Sequence, residues 1–320
     1  MKAIVYRPSK NGSLAVGDVK KPVVHRDELL IKVHAALVTA SDATMTGGFR
    51  VVKLLAKGPK PKEPIPGVEF AGVVEAVGPE ARRFKAGDRV VGSSLGFGAW
   101  AEYIRLRETD SLALMPASLD FAEAVGFGDG GMTALLFLQD LCNIRKGMQV
   151  LVNGASGAVG TYAVQLAKHF GAQVTAVCGS ANLELVRSLG ADHVIDYTSE
   201  DFTMSDHTYD VVFDAVGKSS FARCKRILKE NGVYLTTVPV PGVLLRKLLY
   251  LPRSGKRALF MATGLAKPEK RAAGLQYLGE LAATGVLHTV VDKAYSLEQI
   301  GEALRYVAAG HKRGNVVVTP

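Results

Sequence analysis

Apolar and polar positions alternate through the first third of the chain. From Leu29 to Ala36 (LLIKVHAA), Ile31, Val33 and Ala35 alternate with Lys32 and His34, the pattern of a half-buried strand. Met1 to Val5 (MKAIV) reads as a strand, and Phe70 to Val77 is a β-branched run that stops at the turn signal Gly78-Pro79. Asp88 to Gly92 (DRVVG) is another short strand with a glycine stop. Up to about Ser118 this spacing predicts a small β-barrel or a folded-over sheet.

From about Ala122 the pattern changes to helices alternating with strands. Predicted strands are Val150–Asn153, Gln173–Val177, His193–Ile195, Val211–Asp214 and Val233–Thr237. Predicted helices are Met132–Leu141, Ala158–Phe170, Asn182–Leu189 and Phe221–Leu228. Such alternation means a parallel, doubly wound sheet. Pro239-Val240-Pro241-Gly242 interrupts it. After about Ala266 come two predicted helices, Arg271–Thr284 and Leu297–Ala309, and a last strand, Asn315–Thr319. That strand most simply returns to the N-terminal β-rich part. There are no repeats and no low-complexity tract.

One stretch organises the rest. Val150-Leu151-Val152 runs into the turn Gly154-Ala155-Ser156-Gly157-Ala158-Val159-Gly160. A helix with apolar Ala163, Leu166, Ala167 and Phe170 follows, closed by Gly171, and a second strand begins at Gln173. Strand, glycine turn, helix and strand in this order are a dinucleotide-binding unit. Gly157 lets the backbone approach a pyrophosphate, Gly160 lets helix and strand pack closely, and the N–H groups at the helix start hold the phosphate charge. Ala155 stands where the first glycine of the pattern usually stands. The alternative is a glycine turn with a structural role only.

Composition narrows the class. Of the 320 residues, 48% are hydrophobic and 22% charged, the balance of a soluble globular protein. No run approaches about 18 uninterrupted apolar residues, so no membrane span is expected, and the N-terminus lacks the apolar core of a signal peptide. Cys142, Cys178 and Cys224 are far apart and form no C-x-x-C pair, which excludes a disulfide framework and a cysteine-rich zinc lobe. A cytoplasmic location is the expectation. The net charge of +9 fits an anionic cofactor, nucleic acid or an anionic membrane surface. Nucleic acid is not expected as a partner, since arginine-rich and aromatic-interleaved motifs are missing. The stretch 244–257 sets Arg246, Lys247, Arg253, Lys256 and Arg257 among leucines with no acid between Glu230 and Glu269. It reads either as a weak peripheral contact with anionic membrane or as a loop with solvated charges.

Several runs together resemble the medium-chain dehydrogenase/reductase superfamily. They are Pro66 to Val74 (PGVEFAGVV), Gly78, Lys85 to Val90 (KAGDRV), Ala101-Glu102-Tyr103, Gly130 to Ala134 (GGMTA), the GASGAVG turn and Leu189-Gly190-Ala191-Asp192. The resemblance spans the chain and is nearest to the zinc-free, quinone-oxidoreductase-like branch. It implies a Rossmann doubly wound parallel sheet, residues 123–263, inserted into a β-rich GroES-like catalytic domain, residues 1–122 plus 264–320. It also implies a cofactor in the cleft and a homodimer.

Residue by residue, the resemblance implies no metal. Zinc relatives place a cysteine three residues before an aspartate, where Thr39 precedes Asp42 here; Val68 stands for the histidine of G-H-E, and the third ligand position is read at Val125. Valine offers no lone pair to Zn²⁺. Asp42 and Glu69, with Thr39, remain as candidates in the cleft, to hold loops or to take part in catalysis. Asp129 departs from the family; a helix N-cap is the preferred reading, proximity to the nicotinamide the other. The implied cofactor-binding set is Thr133, Ala155, Ser156, Gly157, Ala158, Val159, Gly160, Cys178, Ser180, Asn182, Tyr197, Ala215 and Val216. Thr133 is read as touching the nicotinamide or as a helix-start threonine, and Cys178 by default as a small buried hydrophobe. The second strand of the unit ends without the acid that binds the ribose diol in NAD-selective members. Ser180 and Asn182 can donate to a 2′-phosphate, so NADPH is the expected cofactor. The expected activity is zinc-independent hydride transfer from NADPH to quinones or α,β-unsaturated carbonyls. The alternatives are a zinc-free alcohol or carbonyl oxidoreductase and a non-catalytic module that senses NADPH or binds RNA.

Overall fold

Ten consecutive residues, Glu28–Leu37, form the longest strand and the spine of a seven-stranded sheet in a computed structural model that describes residues 1–7, 13–46, 65–238 and 255–320. The chain divides into two compact units, one of residues 1–129, 266–285 and 289–320, the other of residues 130–265 and 286–288. Most of the basic stretch 244–257 lies outside the described residues.

In the first unit β1 (Lys2–Arg7) and β2 (Ser13–Asp18) form an antiparallel ribbon. β3 (Glu28–Leu37), β4 (Glu69–Val77), β5 (Arg89–Ser93), β6 (Tyr103–Arg107) and β7 (Ser111–Leu114) belong to the larger sheet and pair antiparallel with one another. The alternation read at Ile31–Val33 holds, with both buried and Lys32 exposed. Trp100 is fully buried in this core and its Nε1 donates to Leu37 O at 2.8 Å. Gly67, at φ +87°, makes room for it: a Cβ there would lie 2.4 Å from the indole.

The helix expected at Met132 begins earlier. It runs Phe121–Leu141, with π-helical stretches at Phe127–Gly131 and Leu136–Leu141. Asp120 is its N-cap, accepting from Glu123 N while Glu123 accepts from Asp120 N. Asp129 therefore lies inside the helix, and its reading as an N-cap is corrected. By length and composition this helix could cross a membrane, but 78% of the apolar window is buried in the protein, as in a core helix.

The second unit carries β8 (Gln149–Asn153), β9 (Gln173–Cys178), β10 (His193–Asp196), β11 (Tyr209–Asp214), β12 (Leu228–Thr236) and β13 (Arg257–Leu259). Their order is β10-β9-β8-β11-β12-β13 and every pairing is parallel, the doubly wound sheet expected. The first of these strands in the chain lies centrally, so the order reverses between β8 and β11, where such sheets bind ligands. The expected helix Phe221–Leu228 ends at Cys224. Ile227 and Leu228 go to the sheet instead: Tyr209 N donates to Ile227 O, and Leu228 pairs with Tyr209.

The chain then returns to the first unit through the helix Pro268–Ala283, β14 (Val291–Ser296), the helix Ile300–Ala308 and β15 (Asn315–Thr319). β15 pairs antiparallel with β3, Val317 opposite Leu37, and parallel with β14.

Candidate functional site

The glycine turn follows β8 at the reversal point. Gly154 has φ +78°, and both Gly154 N and Ala155 N donate to Val177 O. A Cβ on Gly160 would lie 2.1 Å from Gly154 O and 2.7 Å from Ala155 Cα, so only glycine fits where the helix Ala158–His169 meets the turn. Gly157 is the N-cap of that helix and, among the described residues, no side chain caps it. The first N–H groups of a helix need acceptors, and an anionic diphosphate supplies them. Ala155 is buried; Ser156, Gly157, Ala158 and Val159 are half-buried around the turn.

Neighbouring strand ends are tied to this turn by Asp214, at the end of β11. Its carboxylate accepts from Asn153 Nδ2 at 3.0 Å, Tyr234 Oη at 2.8 Å and Ser219 N at 2.9 Å. Ala215 N donates to Asn153 O, and Thr237 Oγ1 donates to Ala215 O. A Cβ on Gly154 would sit 2.3 Å from Val216 Cγ1. The structure thus brings Ala215 and Val216 beside the glycine turn. The Asn153–Asp214–Tyr234 network was not foreseen; an acid closing an otherwise apolar strand, VVFD, was its signal. Thr133 lies within the Phe121–Leu141 helix, not at its start, and its hydroxyl meets Thr263 Oγ1 at 3.2 Å.

At the end of β9, Cys178 is buried and its thiol is pushed up to about 11, chiefly by that burial. Tyr197 N donates to Cys178 O, and a Cβ on Gly179 would come within 3.3 Å of the Tyr197 hydroxyl, so glycine leaves the ring its place. Ser180 does not face an acid-free surface. Its hydroxyl donates to Asp196 Oδ2 at 2.6 Å, because parallel pairing sets Asp196, the last residue of β10, opposite Cys178. The expectation that no carboxylate stands at this strand end is therefore corrected: the acid comes from the next strand. Asn182 Oδ1 is buried and has no hydrogen-bond partner among the described residues.

The first unit holds a second cluster. Thr39 and Asp42 cap the helix Ala40–Thr46 reciprocally: Thr39 N and Oγ1 donate to Asp42 Oδ2, each at 2.8 Å, and Asp42 N donates to Thr39 Oγ1 at 3.2 Å. Burial pushes the Asp42 carboxyl up to about 6 against these donors, and the charge of Asp129 adds to the rise. Glu69 starts β4 opposite Ser93 of β5. It is held well above the usual carboxylate range by burial, then by Asp129 and Asp42, with Arg271 opposing. The Glu69 stem lies on Gly128, where a Cβ would come within 2.7 Å of Glu69 Cγ. Arg271 is buried and donates to Ser93 Oγ and to Gly128 O. The carboxyl of Asp129 is raised by burial, with Lys312 and Arg271 opposing.

Sequence reading found Thr39, Asp42 and Glu69 but missed Ser93, Arg271 and Lys312. Arg271 left a signal: it shares one helix face with the buried Leu275 and Leu278, at the i, i+4, i+7 spacing of a core stripe. The donor set does not suit a catalytic zinc. Thr39 and Asp42 are engaged with each other, Val68 and Val125 have no lone pair, and the charge of Glu69 is answered by Arg271. Among the described residues no group of three or more His, Cys, Asp or Glu could hold a metal ion.

Comparison with known proteins places this geometry. Residues 25–117 match the family described as alcohol dehydrogenase GroES-like domain, and residues 189–318 that described as zinc-binding dehydrogenase. The chain is 34% identical to a chloroplastic quinone-oxidoreductase of Triphysaria versicolor, over 100% of this chain and 98% of the relative. It is 33% identical to a chloroplastic NADPH-dependent alkenal/one oxidoreductase of Arabidopsis thaliana, over 100% and 80%. Among solved structures, the quinone oxidoreductase of Coxiella burnetii superposes with a TM-score of 0.82 at 27% identity, over 100% and 99%. The relatives overturn the cytoplasmic expectation, since they are chloroplastic or, in Bos taurus, mitochondrial proteins. The chain belongs to the medium-chain dehydrogenase/reductase superfamily, in the branch of the quinone oxidoreductases.

Proposed function

We propose that this protein is an NADPH-dependent reductase of quinones or α,β-unsaturated carbonyls that works without zinc and as a homodimer. Residues 1–122 with 264–320 serve as the catalytic domain and 123–263 as the cofactor domain. The observation that carries this reading is the cluster of the first unit: where zinc relatives hold a metal, this chain has Thr39, Val68 and Val125, and the charge of Arg271 acts on its buried Glu69. The relatives named as a quinone-oxidoreductase and as an NADPH-dependent alkenal/one oxidoreductase support the same substrate class.

Bound NADPH supplies a hydride. The residues of this chain position it: the uncapped helix start at Ala158 takes the diphosphate, and Gly160 keeps helix and turn in contact. The Asp214 network fixes the backbone of Ala215 and Val216 at the neighbouring strand end. A site without a Lewis acid gives no help in drawing the proton from an alcohol. Quinones and enones are electron-poor already and need none, and solvent can protonate the reduced product. A screen of NADPH oxidation against quinones, enals and simple aldehydes tests the proposal. Turnover confined to quinones and enones is the expected result, and sedimentation velocity tests the dimer.

A further inference from the structure

Ser180, Asp196 and Thr198 form a closed hydrogen-bonded group at the end of β9. Ser180 Oγ donates to Asp196 Oδ2 at 2.6 Å, while Thr198 N and Oγ1 donate to Asp196 Oδ1 at 2.9 and 2.7 Å. The Ser180 and Thr198 hydroxyls lie 3.0 Å apart. The carboxylate is fixed by both oxygens and carries its charge next to the hydroxyl expected to serve a 2′-phosphate. Ser180, then Thr198, holds the Asp196 carboxyl below the usual aspartate range.

Each feature of this group favours a ribose diol over a phosphate. A 2′-phosphate has oxygens that accept and, at neutral pH, no proton to give, whereas ribose hydroxyls donate. The Ser180 proton already points to Asp196. Asn182 contributes a buried acceptor, Oδ1, without a donor among the described residues. Arg187, whose charge reaches Cys178, is paired with Glu184. NAD-selective sites place an acid at the end of their second strand; here the acid reaches the same place from the end of the third.

We propose that Asp196 is the cofactor-discriminating residue of this protein. It withholds the Ser180 proton from a 2′-phosphate and repels that phosphate, so that the preference for NADPH expected from the relatives is reduced to a small margin and NADH is also used. This rests on the reading of the second unit as an NADPH site.

The test measures affinity for two cofactor fragments, 2′,5′-ADP and 5′-AMP, by calorimetry in the parent, Asp196→Asn and Asp196→Glu. NADPH and NADH turnover are measured alongside. At a screened separation of a few ångströms, removing one charge is expected to raise the 2′,5′-ADP affinity about tenfold. The 5′-AMP affinity holds or falls, and kcat/KM shifts toward NADPH by a similar factor. Asp196→Glu keeps the charge and the parent's ratio; Asp196→Ser, a second charge-free variant, shifts it as Asn does. A merely structural role would weaken both fragments together. A parent that binds both fragments, with a ratio that Asn and Ser leave unmoved, overturns the role of Asp196 alone. A parent that binds neither overturns the reading of the cofactor site as well. A ratio that moves in a protein without quinone or enone turnover supports the role and contradicts the proposed reaction.

Discussion

The guanidinium of Arg271 holds a single hydroxyl, Ser93 Oγ, with two nitrogens, Nε at 3.1 Å and Nη2 at 2.8 Å. Nη2 also donates to Gly128 O at 3.0 Å. This grip fixes a positive charge beside Glu69 and Asp129, whose carboxyls it opposes in their tendency to stay protonated. Replacing Arg271 by methionine keeps much of the stem and removes the charge. Breaking one side of such a buried arrangement costs about 3–5 kcal/mol. Urea unfolding of Arg271→Met should show that loss at pH 7.5 and a smaller one at pH 5, where Glu69 and Asp129 can take up protons. A variant as stable as the parent at pH 7.5 would show that the carboxyls do not depend on Arg271.

Asp42 gives the first unit a pH dependence of defined sign. Its carboxyl is pushed up to about 6 from 3.8. Between those values the folded chain binds more protons than the unfolded one, so this group's stabilisation is complete below about pH 4 and lost as pH rises through 6. Asparagine can accept from Thr39 as aspartate does and carries no charge. Asp42→Asn should therefore match the parent near pH 4 and exceed it at pH 7.5 by about 1–3 kcal/mol. Denaturant melts across that range read this directly, and an Asn variant that is weaker at pH 7.5 would contradict the assignment.

The glycines of the turn separate packing from cofactor binding. A methyl on Gly160 meets backbone, Gly154 O and Ala155 Cα, that cannot move aside. Gly160→Ala is expected to cost about 1–3 kcal/mol of stability and to weaken NADPH binding with it. A methyl on Gly157 meets only Gly154 O, at an ordinary 3.4 Å, and its φ of −81° suits alanine. Gly157→Ala should melt within a few degrees of the parent yet bind NADPH at least about tenfold more weakly, since the methyl stands where the diphosphate approaches. Thermal melts paired with fluorescence titration of NADPH distinguish the two; equal behaviour of both variants would contradict the separate roles.

The dinucleotide unit was legible because its information is local. Strand, turn, helix and second strand were expected at Val150–Asn153, Gly154–Gly160, Ala158–Phe170 and Gln173–Val177, and they stand within one residue or so of those bounds. The acid facing Ser180 was not legible, since Asp196 arrives by pairing of β10 with β9 across an intervening helix. Asp129 was misjudged for a related reason. Gly126, Gly128, Gly130 and Gly131 lie in the helix, ahead of the Met132 start expected for it, where Gly128 admits the Glu69 stem and Gly130 the backbone of Ala158. Tertiary packing there outweighs the poor helix propensity of glycine. β14 escaped because none of its residues, VDKAYS, is buried and they show no apolar alternation.

The central claim is a hydride transfer that needs no metal, and one experiment bears on it most directly. It compares kcat/KM for a quinone and an enone with NADPH against that for primary and secondary alcohols with the oxidised cofactor, before and after prolonged chelation, with zinc measured in the same sample. The account predicts quinone or enone reduction that is unchanged by chelation, alcohol oxidation lower by orders of magnitude, and far less than one zinc per chain. About one zinc per chain, with activity on alcohols that disappears on chelation, would contradict it.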